Sequence, residues 1–155
     1  MNCCHYYQFI PGNEQVFSAD VTRVRYGCGV LKELGQEARA LGIKRAAVYT
    51  DSRIRSSPLF EEAVAALRAE GIEAVIYDEV RVEPTDTSFK EAAQFAKSSA
   101  FDGFISIGGG SVIDTVKAAN LYSSCEGDFM DYVNAPIGRG LVAPGPLRPH
   151  LACPT

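Results

Sequence analysis

Short apolar segments alternate with helix-forming segments along the chain, and this alternation restricts the fold more than any other feature of the sequence. Strands are predicted at 21–26, 45–50, 73–77 and 103–107. Helices are predicted at 30–41 and 111–122, with two more that begin at Ser57-Pro58 and at Thr85-Asp86. Strands that alternate with helices are typical of βαβ units. We therefore predict the α/β class, with a Rossmann-like, mostly parallel sheet flanked by helices and right-handed crossovers.

The composition agrees with one globular domain and excludes several classes of protein. The chain has 155 residues, of which 46% are hydrophobic and 22% are charged, so it can bury a core. No apolar run approaches the roughly 18 residues that a membrane span needs. The formal net charge is −4, and the sequence has no basic cluster, which argues against nucleic acid and anionic membranes as partners.

The cysteines predict free thiols in a reducing compartment. There are five of them, and no two have the spacing of a metal site. They are Cys3, Cys4, Cys28, Cys125 and Cys153. Neither a secretory signal nor an Arg-rich leader is visible. We therefore expect a cytoplasmic protein, with the mitochondrial matrix as the alternative.

The two ends of the chain differ from its alternating part. Residues 1–20 are predicted to form an irregular arm with a turn at Pro11-Gly12-Asn13, and residues 21–155 the α/β domain. Residues 138–154 are rich in Pro and Gly, which predicts a loop with one strand at 150–153. Because the chain stops there without a terminal helix or polar tail, we expect more of the protein to follow.

The strongest candidate site is the glycine run at 108–110, which follows an apolar strand and opens a helix. Glycine lets a backbone approach a ligand closely, and a helix N-terminus attracts phosphate. We therefore predict a phosphate-binding turn, the alternative being a tight turn without a ligand. Ser111 and Asp114 have the spacing of a capping box, so Asp114 has a second interpretation as a helix cap.

A second candidate is Asp51, which directly follows the predicted strand at 45–50. A carboxylate there can accept hydrogen bonds from the ribose hydroxyls of an adenosine, and it would repel the 2′-phosphate of NADP. The alternative is a helix-cap or turn aspartate. The acid precedes the glycines, which reverses the order of the ordinary dinucleotide fingerprint. The sequence contains neither GxGxxG nor a P-loop.

Other titratable residues offer weaker candidates. His5 and His150 are the only histidines, and they are far apart in sequence, so we expect surface or loop positions rather than a metal site or a catalytic triad. Lys117 lies three residues after Asp114, which predicts a solvated ion pair on a helix.

Four motifs occur in order along the chain: VRVEPTD at 80–86, AFDG at 100–103, GGGS at 108–111 and DFMDYVNAPIG at 128–138. Together they resemble the iron-containing (group III) alcohol dehydrogenase family. The resemblance implies the N-terminal domain of a dehydroquinate synthase-like fold. In that family an all-helical domain follows and holds a catalytic divalent metal, usually iron, with one Asp and three His. The chain is therefore expected to lack the metal ligands and to be inactive alone.

The resemblance also implies an NAD site. The residues that match the family's cofactor-binding positions are Asp51, Gly108, Gly109, Gly110, Ser111, Asp114 and Thr155. Asp51 would take the adenosine ribose, the glycines and Ser111 would take the pyrophosphate, and Thr155 would begin a loop on the nicotinamide side. Val112 stands where many members of the family carry Pro.

The implied reaction is reversible hydride transfer between a small hydroxyacid and an oxoacid, 4-hydroxybutyrate and 2-oxoglutarate. Two alternatives remain open: an iron-type alcohol dehydrogenase with another substrate, and a nucleotide-binding module without catalysis. The motifs at 108–138 argue against a third, a lyase related to dehydroquinate synthase. The face that the helical domain covers in the family would be open in this chain, which predicts instability or a homo-oligomer.

Overall fold

The computed structural model describes residues 22–155. Four parallel strands form one sheet in the order β2-β1-β3-β4. Their bounds are β1 Arg45–Tyr49, β2 Glu73–Tyr77, β3 Gly103–Gly108 and β4 His150–Pro154. The predicted arm at 1–20 lies outside the described residues. The predicted strand at 21–26 is wrong for residues 22–26, which are exposed and have no regular secondary structure.

Helices connect the strands and cover both faces of the sheet. They are α1 Leu34–Ala40, α2 Ser52–Arg55, α3 Pro58–Ala69, α4 Asp86–Lys97 and α5 Gly110–Ser124. Short 3-10 helices cover Val30–Glu33 and Phe129–Asp131. The helix predicted at 30–41 is thus a 3-10 turn followed by α1. The predicted α/β class with a parallel, Rossmann-like sheet is confirmed.

Two apolar clusters, one on each face of the sheet, hold these layers together. On one face, Phe60 and Leu67 of α3 pack with Val48 and Ile105 of the sheet. On the other face, Tyr49 and Phe104 pack with Val116 of α5 and with side chains of α4. Successive residues of β1 face opposite clusters, as the pleat of a strand requires.

Local chemistry fixes where two of the helices begin. Ser57 accepts a hydrogen bond from the Phe60 N–H, and Pro58 occupies the first position of α3. Thr85 and Ser88 form a reciprocal capping box at the start of α4. Both starts agree with the sequence prediction.

The strand order brings two predicted site segments together. The β1–β3 ladder pairs Tyr49 with Ser106, so the chain beyond Tyr49 lies beside the chain beyond Ser106. Asp51 and the glycine run therefore share the carboxyl edge of the sheet, where ligands bind in folds of this type. None of the helices in residues 22–155 is long and apolar enough to cross a membrane.

Candidate functional site

The glycine turn forms the N-terminus of α5 without help from a capping side chain. Gly109 is the N-cap, and its carbonyl accepts hydrogen bonds from the N–H groups of Val112 and Ile113 at 3.0 and 3.2 Å. Among residues 22–155, no acceptor is found for the N–H groups of Gly110 and Ser111. These two donors and the positive end of the helix dipole make the turn a suitable anion site.

Space around the turn differs from one glycine to the next. A Cβ on Gly109 or Gly110 would have no atom within 4 Å in the described structure. A Cβ on Gly108, whose φ is +155°, would lie 2.5 Å from Val112 Cγ2. Gly108 is therefore required by packing of α5 against β3. The other two glycines are not, and they leave the backbone open to a ligand.

Asp51 caps α2, so the interpretation as a helix cap is confirmed. Its Oδ1 accepts hydrogen bonds from the N–H groups of Arg53 and Ile54 at 3.0 and 2.9 Å. Its Oδ2 lies 3.5 Å from the position that a Cβ on Gly108 would take. One oxygen therefore holds the helix, and the other faces the glycine turn.

Ser111 and Asp114 do not form the capping box that their spacing suggests. The Ser111 hydroxyl instead donates to the Val82 carbonyl, in the loop between β2 and α4. Asp114 is exposed and pairs with Lys117 at 3.4 Å, which confirms the predicted ion pair. The interpretation of Asp114 as a cap was wrong because glycine supplies the N-cap without a side chain. Its cofactor role stays a prediction.

Thr155 lies beside the turn at the end of β4. Its N–H donates to the Gly108 carbonyl at 3.3 Å, and the β3–β4 register pairs Gly108 with Pro154. The structure thus brings Thr155, Asp51 and the glycine run to one edge of the sheet.

Two arginines, Arg53 and Arg55, follow Asp51 closely in the sequence. Arg55 is engaged by Glu61 at 2.8 Å and more loosely by Asp78 at 3.8 Å. Arg53 is exposed, and within residues 22–155 its guanidinium makes no ion pair. Arg53 is therefore the nearby cation that could meet a 2′-phosphate.

Sequence reasoning missed two buried polar residues of the sheet, Thr50 just after β1 and Ser106 within β3. Thr50 is fully buried, and its hydroxyl donates to the Ile107 carbonyl at 2.8 Å. Ser106, also buried, makes a 2.9 Å hydrogen bond with Nε2 of His150. His150 begins β4, so the strand predicted at 150–153 is confirmed and the loop position expected for this histidine is wrong. The signal for both was a polar residue in or directly after an apolar run of the sequence.

Burial, together with the positive charge of Lys117, lowers the pKa of His150 from 6.5 to about 4. The imidazole is therefore neutral at physiological pH. His5 lies outside the described residues. No group of three or more His, Cys, Asp or Glu within residues 22–155 could hold a metal ion.

Comparison with known sequences gives a family and several relatives. The family model described as iron-containing alcohol dehydrogenase matches residues 21–155. The chain is 47% identical over 159 residues to "hydroxyacid-oxoacid transhydrogenase, mitochondrial" of Bos taurus, an alignment that covers 97% of this chain. The protein of the same name from Mus musculus is 45% identical over 157 residues, again with 97% of this chain covered. The chain spans about a third of the length of these relatives, 34% in each case.

Solved structures share the fold. A 1,3-propanediol oxidoreductase superposes with a TM-score of 0.74 at 29% identity and covers 83% of this chain and 32% of its own. A sulfoacetaldehyde reductase from Bifidobacterium kashiwanohense, solved in complex with NAD+, gives a TM-score of 0.78 at 21% identity. That match covers 92% of this chain and 36% of the reductase. At this sequence identity it shows a shared fold and nothing more.

Proposed function

Because the chain belongs to the iron-containing alcohol dehydrogenase family, we propose that residues 21–155 form the NAD-binding domain of a metal-dependent oxidoreductase. In the whole protein the reaction would be reversible hydride transfer between a hydroxyacid and an oxoacid, with 4-hydroxybutyrate and 2-oxoglutarate as the substrates. The names of the relatives support this substrate class. NAD, when bound, supplies the hydride acceptor and donor for such a reaction.

One observation carries the proposal: a carboxylate oxygen and a glycine turn without a capping side chain lie side by side at the carboxyl edge of a parallel sheet. Backbone N–H donors and a carboxylate acceptor suit the groups of a dinucleotide, and the open space at Gly109 and Gly110 leaves room for one. The N–H groups of Gly110 and Ser111 would bind the pyrophosphate, and Oδ2 of Asp51 would accept from the adenosine ribose. Thr155 would lie toward the nicotinamide side.

The described residues do not fit the metal of the family. Without a cluster of His, Cys, Asp or Glu in residues 22–155, no described side chain is assigned to a metal. We propose that iron or another divalent metal is held by residues outside this part of the protein. The role of the described domain is then to bind and orient the cofactor.

The proposed location is mitochondrial. The bovine and mouse relatives both carry that word in their names, so they support the mitochondrial matrix, the alternative to the cytoplasmic location expected from the sequence. Fusion of a fluorescent protein to the C-terminus of the full-length protein tests this by microscopy, and a diffuse cytosolic signal would contradict it.

Asp51 provides the test of the cofactor site, but only with the right substitution. Asp51→Ala would remove the α2 cap together with the ribose acceptor. Asp51→Asn can keep the cap, because its amide oxygen still accepts from the N–H groups of Arg53 and Ile54. We expect Asp51→Asn to weaken NAD about ten- to a hundredfold, since a charge-assisted hydrogen bond contributes about 1.5–3 kcal/mol. NADP should lose less affinity or gain some, because the repulsion is removed while Arg53 remains.

The measurement is calorimetric titration of the full-length protein with both cofactors. Asp86→Asn is the matched control, because Asp86 also lies at the start of a helix, is exposed, and has its carboxylate paired with Lys90 at 3.2 Å. It should leave both affinities unchanged. If Asp51→Asn binds NAD as tightly as the unmodified protein does, Asp51 is a cap only and the ribose assignment is wrong.

A further inference from the structure

Thr50 joins the ends of three strands through its own hydrogen bonds. Its side-chain hydroxyl donates to the Ile107 carbonyl of β3 at 2.8 Å. Its N–H donates to the Tyr77 carbonyl of β2 at 2.9 Å, and its carbonyl accepts from the Val80 N–H at 3.4 Å. The residue itself follows β1 directly and is 0% exposed.

The Thr50 hydroxyl forms its hydrogen bond just beyond the end of the β1–β3 ladder. The last pair of that ladder is Tyr49 with Ser106. Beyond it, one chain turns into α2 at Asp51 and the other turns into α5 after Gly108. The bond from Thr50 to Ile107 therefore joins the residue before Asp51 to the residue before Gly108.

A second path runs from Thr50 to the same helix. Val80, whose N–H donates to the Thr50 carbonyl, lies two residues before Val82 in the loop between β2 and α4. The Val82 carbonyl accepts the hydroxyl of Ser111 in the first turn of α5. The end of β3 is thus bonded to Thr50 directly, and the start of α5 is connected to Thr50 through the loop that contains Val80 and Val82.

From this arrangement we infer that Thr50 is a positioning residue, whose hydroxyl fixes the separation between the Asp51 carboxylate and the glycine turn. The inference rests on the proposed NAD site. Its consequence is specific: a ligand that carries both a ribose and a diphosphate needs the two groups at the right separation. A ligand that uses only one of them does not.

The test compares ADP, which spans both groups, with adenosine, which lacks phosphate. Affinities are measured by NMR titration of the full-length protein and of its Thr50→Val, Thr50→Ser and Thr115→Val variants. Thr50→Val keeps the shape of the side chain and removes the hydroxyl, whereas Thr50→Ser keeps the hydroxyl. Thr115→Val is the matched control, because Thr115 is 2% exposed and its hydroxyl donates within its own helix, to the Ser111 carbonyl at 2.7 Å.

We expect Thr50→Val to weaken ADP about tenfold, as for loss of one well-aligned hydrogen bond, and to change adenosine affinity about twofold or less. Thr50→Ser and Thr115→Val should both keep the ratio of ADP to adenosine affinity that the unmodified protein has. An effect on melting temperature alone, or an equal loss for both ligands, would overturn the inference.

Two further outcomes are separable from these. If the unmodified protein binds neither ADP nor NAD, the proposed function is wrong and the inference, which rests on it, is overturned with it. If Thr50→Val does not fold, Thr50→Cys makes the same comparison, because the cysteine side chain is close to threonine in volume and its thiol is only a weak hydrogen-bond donor. Thr50→Cys with the ADP-to-adenosine ratio of the unmodified protein would then overturn the inference.

Discussion

At the scale of single residues, Gly108, Gly109 and Gly110 are adjacent in sequence but have different physical roles. Gly108 leaves room for Val112, so a side chain there would push α5 away from β3. Gly109 and Gly110 have open space where a Cβ would stand. A turn that served packing alone would need only the first glycine, so the other two point to close approach of a ligand.

Substitutions at this turn should separate folding from binding. We expect Gly110→Val to keep the fold, because its side chain would enter open space, but to abolish binding of NAD and NADP by blocking the backbone N–H groups. Gly108→Ala should lower the free energy of unfolding by about 1–3 kcal/mol, as overpacking does. Urea unfolding and calorimetric titration of both variants check this. Normal NAD binding by Gly110→Val would contradict the anion-site assignment.

The same scale shows why Asp51 could not be assigned from sequence. Its position after an apolar strand favoured a ribose acceptor and a helix cap equally. The structure uses Oδ1 for the cap and leaves Oδ2 toward Gly108, so the two roles fall on different atoms of one side chain. No sequence pattern distinguishes the two oxygens of a carboxylate.

At the scale of elements, β1, β2 and β3 were predictable because each is a short apolar run between turn residues. The starts of α3 and α4 were predictable from Ser57-Pro58 and Thr85. Helix α2 was missed because Ser52–Arg55 is a single turn, too short to show a period. Apolar and polar residues alternate over 22–26 as they do in a strand, but a strand also needs a neighbouring strand to pair with. Within residues 22–155 no strand pairs with this segment.

Strand β4 carries a pH dependence through His150. Because its pKa falls from 6.5 to about 4 on folding, the unfolded chain binds a proton between these values and the folded chain does not. Stability is therefore full above pH 6.5 and is lost as the pH falls toward 4. At pH 5 the loss should be about 2 kcal/mol relative to pH 7.5. Urea unfolding at the two pH values measures it.

The contribution of His150 is isolated by His150→Gln, which keeps a polar side chain at the Ser106 hydroxyl and does not titrate. The difference in unfolding free energy between pH 7.5 and pH 5 should shrink by most of that amount in the variant. An equal pH dependence in both proteins would mean that other groups are responsible.

At the scale of the whole molecule, the residues proposed to bind the cofactor lie in the described part of the chain, and no metal-binding cluster lies there. Asp51, the glycine turn and Thr155 all belong to residues 22–155, whereas that range holds no metal-binding cluster. We therefore expect the 155-residue chain alone to show no transhydrogenase activity. The assay contains 4-hydroxybutyrate, 2-oxoglutarate, NAD and added ferrous iron. Turnover above a blank without protein would contradict the proposal that the metal is held by residues outside this part of the protein.

The surface around residues 130–142 predicts how the 155-residue chain behaves in solution. Ile137, Leu141 and Val142 are 76%, 54% and 60% exposed. The segment is held in place, because the N–H groups of Arg139 and Leu141 donate to the carbonyls of Met130 and Asp131 at 2.8 Å. Apolar side chains displayed on an ordered segment favour association. We expect concentration-dependent self-association of the chain, measured by sedimentation velocity.

Replacing Ile137, Leu141 and Val142 together with Ser should shift the sedimentation coefficient to that of a monomer, since the backbone bonds that order the segment do not use these side chains. Val24→Ser is the control, because Val24 has the same side chain as Val142 and is 79% exposed but lies elsewhere in the sequence. It should leave self-association unchanged if the segment, and not general hydrophobicity, drives the contact. A single monomeric boundary for the unmodified chain at every concentration would show that this apolar surface is tolerated in water without a partner.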